Sequence, residues 1–459
     1  MSNIVILAAG KGSRMHSQHP KVLQKIGGLA MIDRVLQTAL ALKPSQIIVV
    51  VGHQAEAVKH HLSAYPQIKF VEQTEQLGTG HAVKVALPAL QAGQPTLILY
   101  GDVPLIQTNT LQWALNVAQN ANTVALLTTH MQQPTGYGRI VRDAHGAVLS
   151  IVEEADATVQ QRAIQEVNTG IMALPYNMLS HCLNQLQANN AQHEYYLTDV
   201  ISLAVQRDCV IKTHQPEHDW EVVGVNNRSQ QAQLERIWQR FQVEELLQQG
   251  VQFYDPARVD IRGQLRCGQD VQIDVNTVFE GEVTLGDRVT IAANCYLKNV
   301  TIHADSVIEP FTHLDHAEIG EHAVVGPFAR LRPGTVLGQQ VRIGNFVELK
   351  NAQLDHNTKV NHLSYVGDAV IGQRVNVGAG TVFCNYDGAN KHQTKVADDV
   401  FIGSGSQLVA PVTLEQGATL GAGTTLTKTA PANSLTLTRA KQVTVPGWRR
   451  PTKTEDKGH

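Results

Sequence analysis

Apolar residues in the first half of the chain fall in short unbroken runs. Asn3–Ala9, Ile47–Val51, Thr96–Tyr100 and Thr123–Leu127 are runs of this kind. Between them, Met31–Leu42, His81–Leu90 and Thr110–Gln119 carry apolar residues at helical spacing. Alternating β runs and helices predict a mainly parallel sheet covered by helices on both faces. Sheets of this kind bind ligands at the carboxyl ends of their strands. Residues 228–249 read as one connecting helix, with Leu234, Ile237, Trp238, Phe241, Leu246 and Leu247 as a partial apolar stripe. Ser229 is its candidate start cap and Gly250 its candidate end.

From about residue 251 the period changes to six. Aliphatic or aromatic residues recur at Ile273, Phe279, Leu285, Ile291 and Leu297, then at Ile302, Ile308 and Leu314. The series continues through Ile319, Val325, Leu331, Leu337, Ile343, Leu349, Leu354, Val360 and Val366. Steps are six within a triplet and five between most triplets, so one turn takes 17 or 18 residues. A hexapeptide repeat of this kind predicts a parallel β-helix whose triangular coils each point three side chains into a narrow axis. The period alone leaves the handedness open. Between Phe383 and Val396 the step is 13. The extra residues 384–394 are polar, and they are expected to leave the coil as an exposed loop, which is either a tolerated insertion or a cover over an active site on a neighbouring coil or subunit. Exposed coil faces without charge also favour side-by-side oligomers.

Composition narrows the function. The chain has 459 residues, 43 % of them hydrophobic and 5 % aromatic, so it is globular, and a narrow axis that excludes most rings accounts for the scarcity of aromatics. Lys+Arg is 37 against Asp+Glu 40, a net charge of −3, which offers no general basic surface for nucleic acid or anionic lipid. No apolar run is long enough for a membrane span, and the N-terminus lacks the order of a secretory signal. The five cysteines lie far apart and read as reduced thiols of a cytoplasmic protein.

The first strand ends in Leu7-Ala-Ala-Gly-Lys-Gly-Ser-Arg-Met15, with Pro20-Lys21 soon after. Its glycines let the backbone approach a ligand and its N–H groups can cradle phosphate oxygens. Arg14 and Lys21 add charge suited to a leaving pyrophosphate. Asp102 closes the strand in Tyr100-Gly-Asp-Val-Pro-Leu105, where a carboxylate can hold Mg²⁺, and Asn226 offers a second oxygen from another strand end. In the second half, Arg332 and Lys350 follow axial leucines. By coil arithmetic, Lys350, Tyr365 and Asn385 can stack on one edge. His362 occupies an outward position near Lys350, Tyr365 and Asn376. Two cations suit a sugar phosphate, and a neutral imidazole suits removal of a proton from an attacking amine.

These runs, together with Gln73, Gln76-Leu-Gly-Thr-Gly80, Gly136-Tyr-Gly-Arg139, Val152-Glu153, Asn168-Thr-Gly170 and Gly224-Val-Asn-Asn-Arg228, resemble the sugar-1-phosphate nucleotidyltransferases. Among these the chain is most similar to the bacterial bifunctional N-acetylglucosamine-1-phosphate uridylyltransferase/glucosamine-1-phosphate N-acetyltransferases, over nearly its whole length. Ser13, where the family commonly has Thr, keeps the hydroxyl.

The resemblance implies an α/β fold in three parts. These are a Rossmann-like uridylyltransferase domain over 1–226, a helical linker over 227–250, and a left-handed β-helix acetyltransferase domain with its tail over 251–459. It implies Mg²⁺ on Asp102 and Asn226, with acetyl-CoA and UTP as co-substrates. Leu7, Ala8, Ala9, Gly10, Lys21, Gln73, Gly78, Thr79, Tyr100, Gly101 and Asp102 would meet the nucleotide, with Asn226. Gly138, Glu153 and Asn168 would hold the sugar. Arg14 and Lys21 would act in uridylyl transfer and His362 as the general base of acetyl transfer. Arg332, Lys350, Tyr365, Asn376, Asn385 and Tyr386 would bind glucosamine 1-phosphate, and Ala379, Ser404, Ala422 and Arg439 acetyl-CoA. The product, UDP-N-acetylglucosamine, would feed peptidoglycan and lipopolysaccharide precursors. A homotrimer with acetyl sites at subunit boundaries is implied, with no membrane or nucleic-acid partner. One rival reading is a nucleotidyltransferase of one activity with a regulatory β-helix, and a second is a non-enzymatic scaffold in which both halves only build an assembly. No role is assigned to the tail 449–459.

Overall fold

The computed structural model describes residues 1–452, and residues 453–459 at the end of the tail lie outside the described residues. The chain divides into two compact units, Met1–Glu245 with Ile261–Gly263, and Leu246–Asp260 with the chain from Gln264 onward.

In the first unit the apolar runs form one sheet. Its main order is Val210–His214, Thr123–His130, Glu166–Leu174, Thr96–Tyr100, Asn3–Ala8, Gln46–Val51 and Ile68–Glu72. Asn3–Ala8 is buried throughout because both faces are covered. Ile4 and Ile6 join one apolar cluster and Val5 and Leu7 the other. The sheet is mixed, not wholly parallel. Glu166–Leu174 runs antiparallel to both neighbours, because the chain reaches it from the antiparallel pair Arg139–Arg142 and Val148–Val152. Thr96–Tyr100 lies on one side of Asn3–Ala8 and Gln46–Val51 on the other. The chain connections therefore diverge at the end of the first strand, where a crevice opens.

The helix after this sheet is Arg228–Gln248. Its cap is Asn227, whose side-chain oxygen accepts from the Gln230 N–H at 2.9 Å, so Ser229 lies inside the first turn and does not cap it. The end is as expected: Gly250 has φ 94°, and the N–H groups of Gly250 and Val251 return to the carbonyls of Leu247 and Leu246.

The second unit is a parallel β-helix. One eleven-stranded sheet forms one face and a fourteen-stranded sheet supplies the other two. The sixth-residue pattern becomes three axial rows. One is Ile291, Ile308, Val325, Ile343, Val360, Val377, Ile402 and Leu420. Another is Leu297, Leu314, Leu331, Leu349 and Val366. The third is Ile302, Ile319, Leu337, Leu354, Ile371, Val396 and Leu414. All are buried. Each residue stacks on its equivalent in the next coil, so a five- or six-residue step keeps apolar atoms on the axis.

The long step between Phe383 and Val396 is an excursion over Asn385–Gln393. Cys384 and Thr394 remain in strands, so the loop is shorter at both ends than the sequence suggests. Its turn is held by Asp387, whose carboxylate accepts from the N–H groups of Ala389 and Asn390 and from His392. Those bonds hold the Asp387 carboxyl well below the usual carboxylate range. Among the described residues no helix is long and apolar enough to cross a membrane.

Candidate active sites

The crevice of the first unit holds a cavity of about 460 Å³. Leu7, Ala8, Ala9, Gly10, Lys21, Gln73, Gly78, Thr79, Tyr100 and Asp102 line it, together with Lys11, Gln76 and Glu194. Gly101 is not part of this lining. It pairs by its N–H with the Leu7 carbonyl at 2.9 Å and brings the two strand ends together.

Lys21 follows Pro20 in a short 3₁₀ turn and forms an ion pair with Asp102. Its Nζ also lies 3.2 Å from Asn226 Oδ1, and Arg14 Nη2 donates to the same oxygen at 3.1 Å. Asn226 is next to Asp102 because the Val225 N–H bonds the Asp102 carbonyl at 2.9 Å. One ammonium thus already bridges the two oxygens assigned to a metal. That donor set is hard and the two oxygens converge, which fits Mg²⁺. No group of three or more His, Cys, Asp and Glu among the described residues could hold a metal. Phosphates and water would complete the shell, as this cation prefers.

Gly138, Glu153 and Asn168 lie outside that lining but form a contiguous group. The Asn168 N–H donates to the Gly138 carbonyl at 2.8 Å, and Glu153 accepts from Thr198 Oγ1 at 2.9 Å. A Cβ at 138 would lie 3.5 Å from both Glu153 oxygens. Burial pushes the Glu153 carboxyl up, against the Thr198 hydrogen bond. Asn168 Oδ1 accepts from the Gly170 N–H, and Gly170 (φ 84°) lies against the Tyr100 ring. Burial first, then the charges of Glu153 and Asp102, pushes the Tyr100 hydroxyl up. Tyr100 is therefore the link between the cavity and the Glu153 group.

In the β-helix, His362 is exposed at the end of Lys359–His362, and its Nδ1 lies 3.1 Å from Asn345 Oδ1 one coil away. Coil-to-coil backbone bonds run from Leu363 to Asn345, Gly380 to His362, Gly405 to Ala379 and Gly423 to Ser404. They place Asn345, His362, Ala379, Ser404 and Ala422 in one column. Arg439 ends it, its Nε donating to the Ala422 carbonyl at 3.1 Å. Three coil steps of about 4.8 Å separate His362 from Ala422.

A second group lies on the neighbouring face. Lys350 is paired with Gly367 and Tyr365 with Glu348. A side chain at 367 would run into the Tyr365 hydroxyl and the Asn385 amide, so those two converge there. Arg332 Nη1 donates to Glu348 at 2.9 Å. Lys350 lies beside Lys391 of the excursion, whose proximity holds its ammonium below the usual lysine range. Asp368 accepts from Asn351 and Asn385. Burial opposes its ionisation, but those bonds and the charges of Lys350 and Lys391 hold its carboxyl below the usual range. Tyr386 is exposed on the excursion, its hydroxyl bonded to the Gly388 carbonyl. Asn376 stands apart, in the column of Lys359 and Phe401 and not that of His362.

Asn345, Glu348, Asp368, Lys391 and Thr198 were not among the expected residues. Asn345 could have been found by stepping back one coil of 17 residues from His362. Lys391 had only its place in the excursion as a signal.

Residues 4–168 match the MobA-like NTP transferase domain, 261–352 the GMPPB C-terminal domain and 393–428 the hexapeptide repeat of succinyl-transferase. The chain is 55 % identical over 451 residues to a "Bifunctional protein GlmU" of Cupriavidus pinatubonensis, covering 98 % of this chain and 99 % of that one. It is 55 % identical over 457 residues to the protein of the same name from Bordetella parapertussis, covering 99 % and 100 %. A further GlmU, from Cupriavidus taiwanensis, is 56 % identical over 451 residues, covering 98 % and 99 %.

Proposed function

The chain belongs to the family of bifunctional GlmU proteins, and from that premise we infer how its two sites divide the work. It is a bifunctional transferase that makes UDP-N-acetylglucosamine. One activity moves acetyl from acetyl-CoA to the amine of glucosamine 1-phosphate. The other joins the resulting N-acetylglucosamine 1-phosphate to UTP and releases pyrophosphate.

We assign acetyl transfer to the β-helix, from residue 251 onward, and uridylyl transfer to residues 1–226. The observation that carries this division is the column running from His362 through Ala379, Ser404 and Ala422 to Arg439. Its small side chains leave a track for an extended thioester arm that ends at an imidazole, which a purely regulatory β-helix would not need. Asn345 offers an oxygen to Nδ1, so His362 keeps the proton there and presents the Nε2 lone pair to the amine. Arg332, Lys350 and Lys391 hold the sugar phosphate, and Tyr365 and Asn385 orient the ring, with Tyr386 at the margin of that site.

In uridylyl transfer the residues position and neutralise rather than form covalent bonds. Asp102 and Asn226 would hold Mg²⁺, which supplies charge neutralisation on the nucleotide phosphates. Arg14 and Lys21 meet the departing pyrophosphate. For Lys21 this means leaving the Asp102 carboxylate when the nucleotide arrives. Glu153 and Asn168 hold the sugar.

We also propose a homotrimer. Phe311, Phe328 and Phe346 stack at one corner of successive coils, with ring centroids 4.9 and 5.3 Å apart, and Leu363 continues the row beside His362. All four are exposed, a row of apolar surface that a second copy of the chain would cover. A cytoplasmic setting suits the five free cysteines.

The test supplies the purified protein with glucosamine 1-phosphate, acetyl-CoA and UTP. Coenzyme A, pyrophosphate and UDP-N-acetylglucosamine should all appear. Omitting acetyl-CoA should stop the reaction unless N-acetylglucosamine 1-phosphate is given. UTP consumption with no acetyl-CoA consumption would favour the single-activity reading.

A further inference from the structure

Gln73 follows the strand Ile68–Glu72, lines the nucleotide cavity and is only 4 % exposed. Both amide hydrogens are engaged. Nε2 donates to the Gly78 carbonyl at 3.1 Å and lies 3.2 Å from His81 Nδ1. A carbonyl can only accept, so Gly78 fixes which end of the amide is nitrogen. His81 then accepts the second N–H with an unprotonated Nδ1. The partners are themselves held. Gly78 has φ 104° and a Cβ there would strike the Tyr195 backbone. Tyr195 bonds the backbone on both sides, at Leu77 and Gly80. His81 sits on the helix Thr79–Ala86, with its ring centroid 6.2 Å from that of Tyr195. The amide oxygen of Gln73 accepts from no described residue and is the one atom of the amide left for a ligand.

We propose that His81 is a positioning residue that sets base selectivity by locking the Gln73 amide with its oxygen toward the base. This rests on the reading that Gln73 meets the pyrimidine. An inward oxygen accepts from uracil N3–H. It faces the N3 lone pair of cytosine with no hydrogen between, so cytosine leaves two acceptors opposed. Without His81, one amide hydrogen loses its acceptor. The amide is then held by Gly78 alone, and it can rotate to present N–H to cytosine.

The experiment measures kcat/KM for UTP and for CTP with N-acetylglucosamine 1-phosphate, in the full-length protein, with the thermal unfolding curve of each variant as the folding control. In His81→Ala and in His81→Phe, which keeps a ring against Tyr195 but no acceptor, the UTP:CTP ratio should fall about 3- to 10-fold, the worth of one hydrogen bond. His81→Asn, whose side-chain oxygen can accept from Gln73, should restore most of it. Gln73→Leu should lower the ratio at least as far as His81→Ala. A His81→Phe variant with the native ratio, alongside a lowered ratio in Gln73→Leu, would overturn the role of His81 while leaving Gln73 at the base. An unchanged ratio in Gln73→Leu would overturn both, because the base then lies elsewhere.

Discussion

His362 Nδ1 and Asn345 Oδ1 lie 3.1 Å apart on adjacent coils, joined only by the stacking of one column. The bond selects a tautomer, and in the proposed reading the tautomer decides which nitrogen faces the amine. Asn345→Ala should lower the acetyl-transfer rate about 3- to 10-fold, in line with one hydrogen bond, and leave uridylyl transfer alone. Asn345→Asp places a carboxylate beside the imidazole and favours its protonated form. The rising limb of the acetyl pH–rate profile should move to higher pH. An unmoved profile would detach Asn345 from His362.

Lys350 and Lys391 repel each other, and the ammonium of Lys350 is held below its ordinary range by that neighbour. A phosphate between them relieves the repulsion, so its binding favours the protonated lysine. The sign follows: affinity for glucosamine 1-phosphate is full below the lowered value and weakens as pH rises through it. KM should therefore rise in the alkaline range below the ordinary lysine value of about 10.4. Lys391→Ala should shift that rise toward higher pH and raise KM about 10-fold through loss of a charged contact. A KM that is flat with pH in both proteins would contradict the cluster.

Gly170 has φ 84°, and a Cβ there would lie 2.5 Å from Tyr100 Cε2. Gly170→Ala should cost about 1–3 kcal/mol through the strained backbone and the clash. Displacing Tyr100 and Asn168 should raise KM for N-acetylglucosamine 1-phosphate. Thermal unfolding followed beside both activities checks this, and acetyl transfer should persist.

The β-helix is legible in the sequence because its period is set locally. Each coil repeats every 17 or 18 residues, and a residue's axial place depends only on its position in the triplet. Leu297, Leu314 and Leu331 could thus be aligned by counting. The direction of Glu166–Leu174 could not, since it depends on which distant strands it pairs with, Thr96–Tyr100 and Thr123–His130. The cap at Asn227 was hidden by a nearby serine of equal propensity. At the sites, Arg14, Lys21, Asp102 and Asn226 were readable as types suited to phosphate and metal. That Lys21 bridges Asp102 and Asn226 depends on how strand ends far apart in the chain meet in the fold. Lys391 lies in the excursion, where coil arithmetic does not reach.

In the proposed reading Asp102 and Asn226 would hold Mg²⁺ together, and removing one hard oxygen would weaken that place. Asp102→Ala should lower uridylyl transfer by at least about 10-fold at low Mg²⁺, with partial recovery as Mg²⁺ is raised. A rate independent of Mg²⁺ and equal to that of the native protein would leave Asp102 without a part in holding the metal.

The central claim is that one chain carries two separate chemistries. It is tested most directly by measuring both rates in two variants, His362→Ala and Asp102→Ala, at saturating substrates. His362→Ala should lose acetyl transfer by on the order of 10²–10⁴, the worth of a positioned general base, and keep uridylyl transfer. Asp102→Ala should show the reverse. If either folded variant loses both activities together, or if His362→Ala keeps its acetyl rate within about fivefold, the two-site account is contradicted.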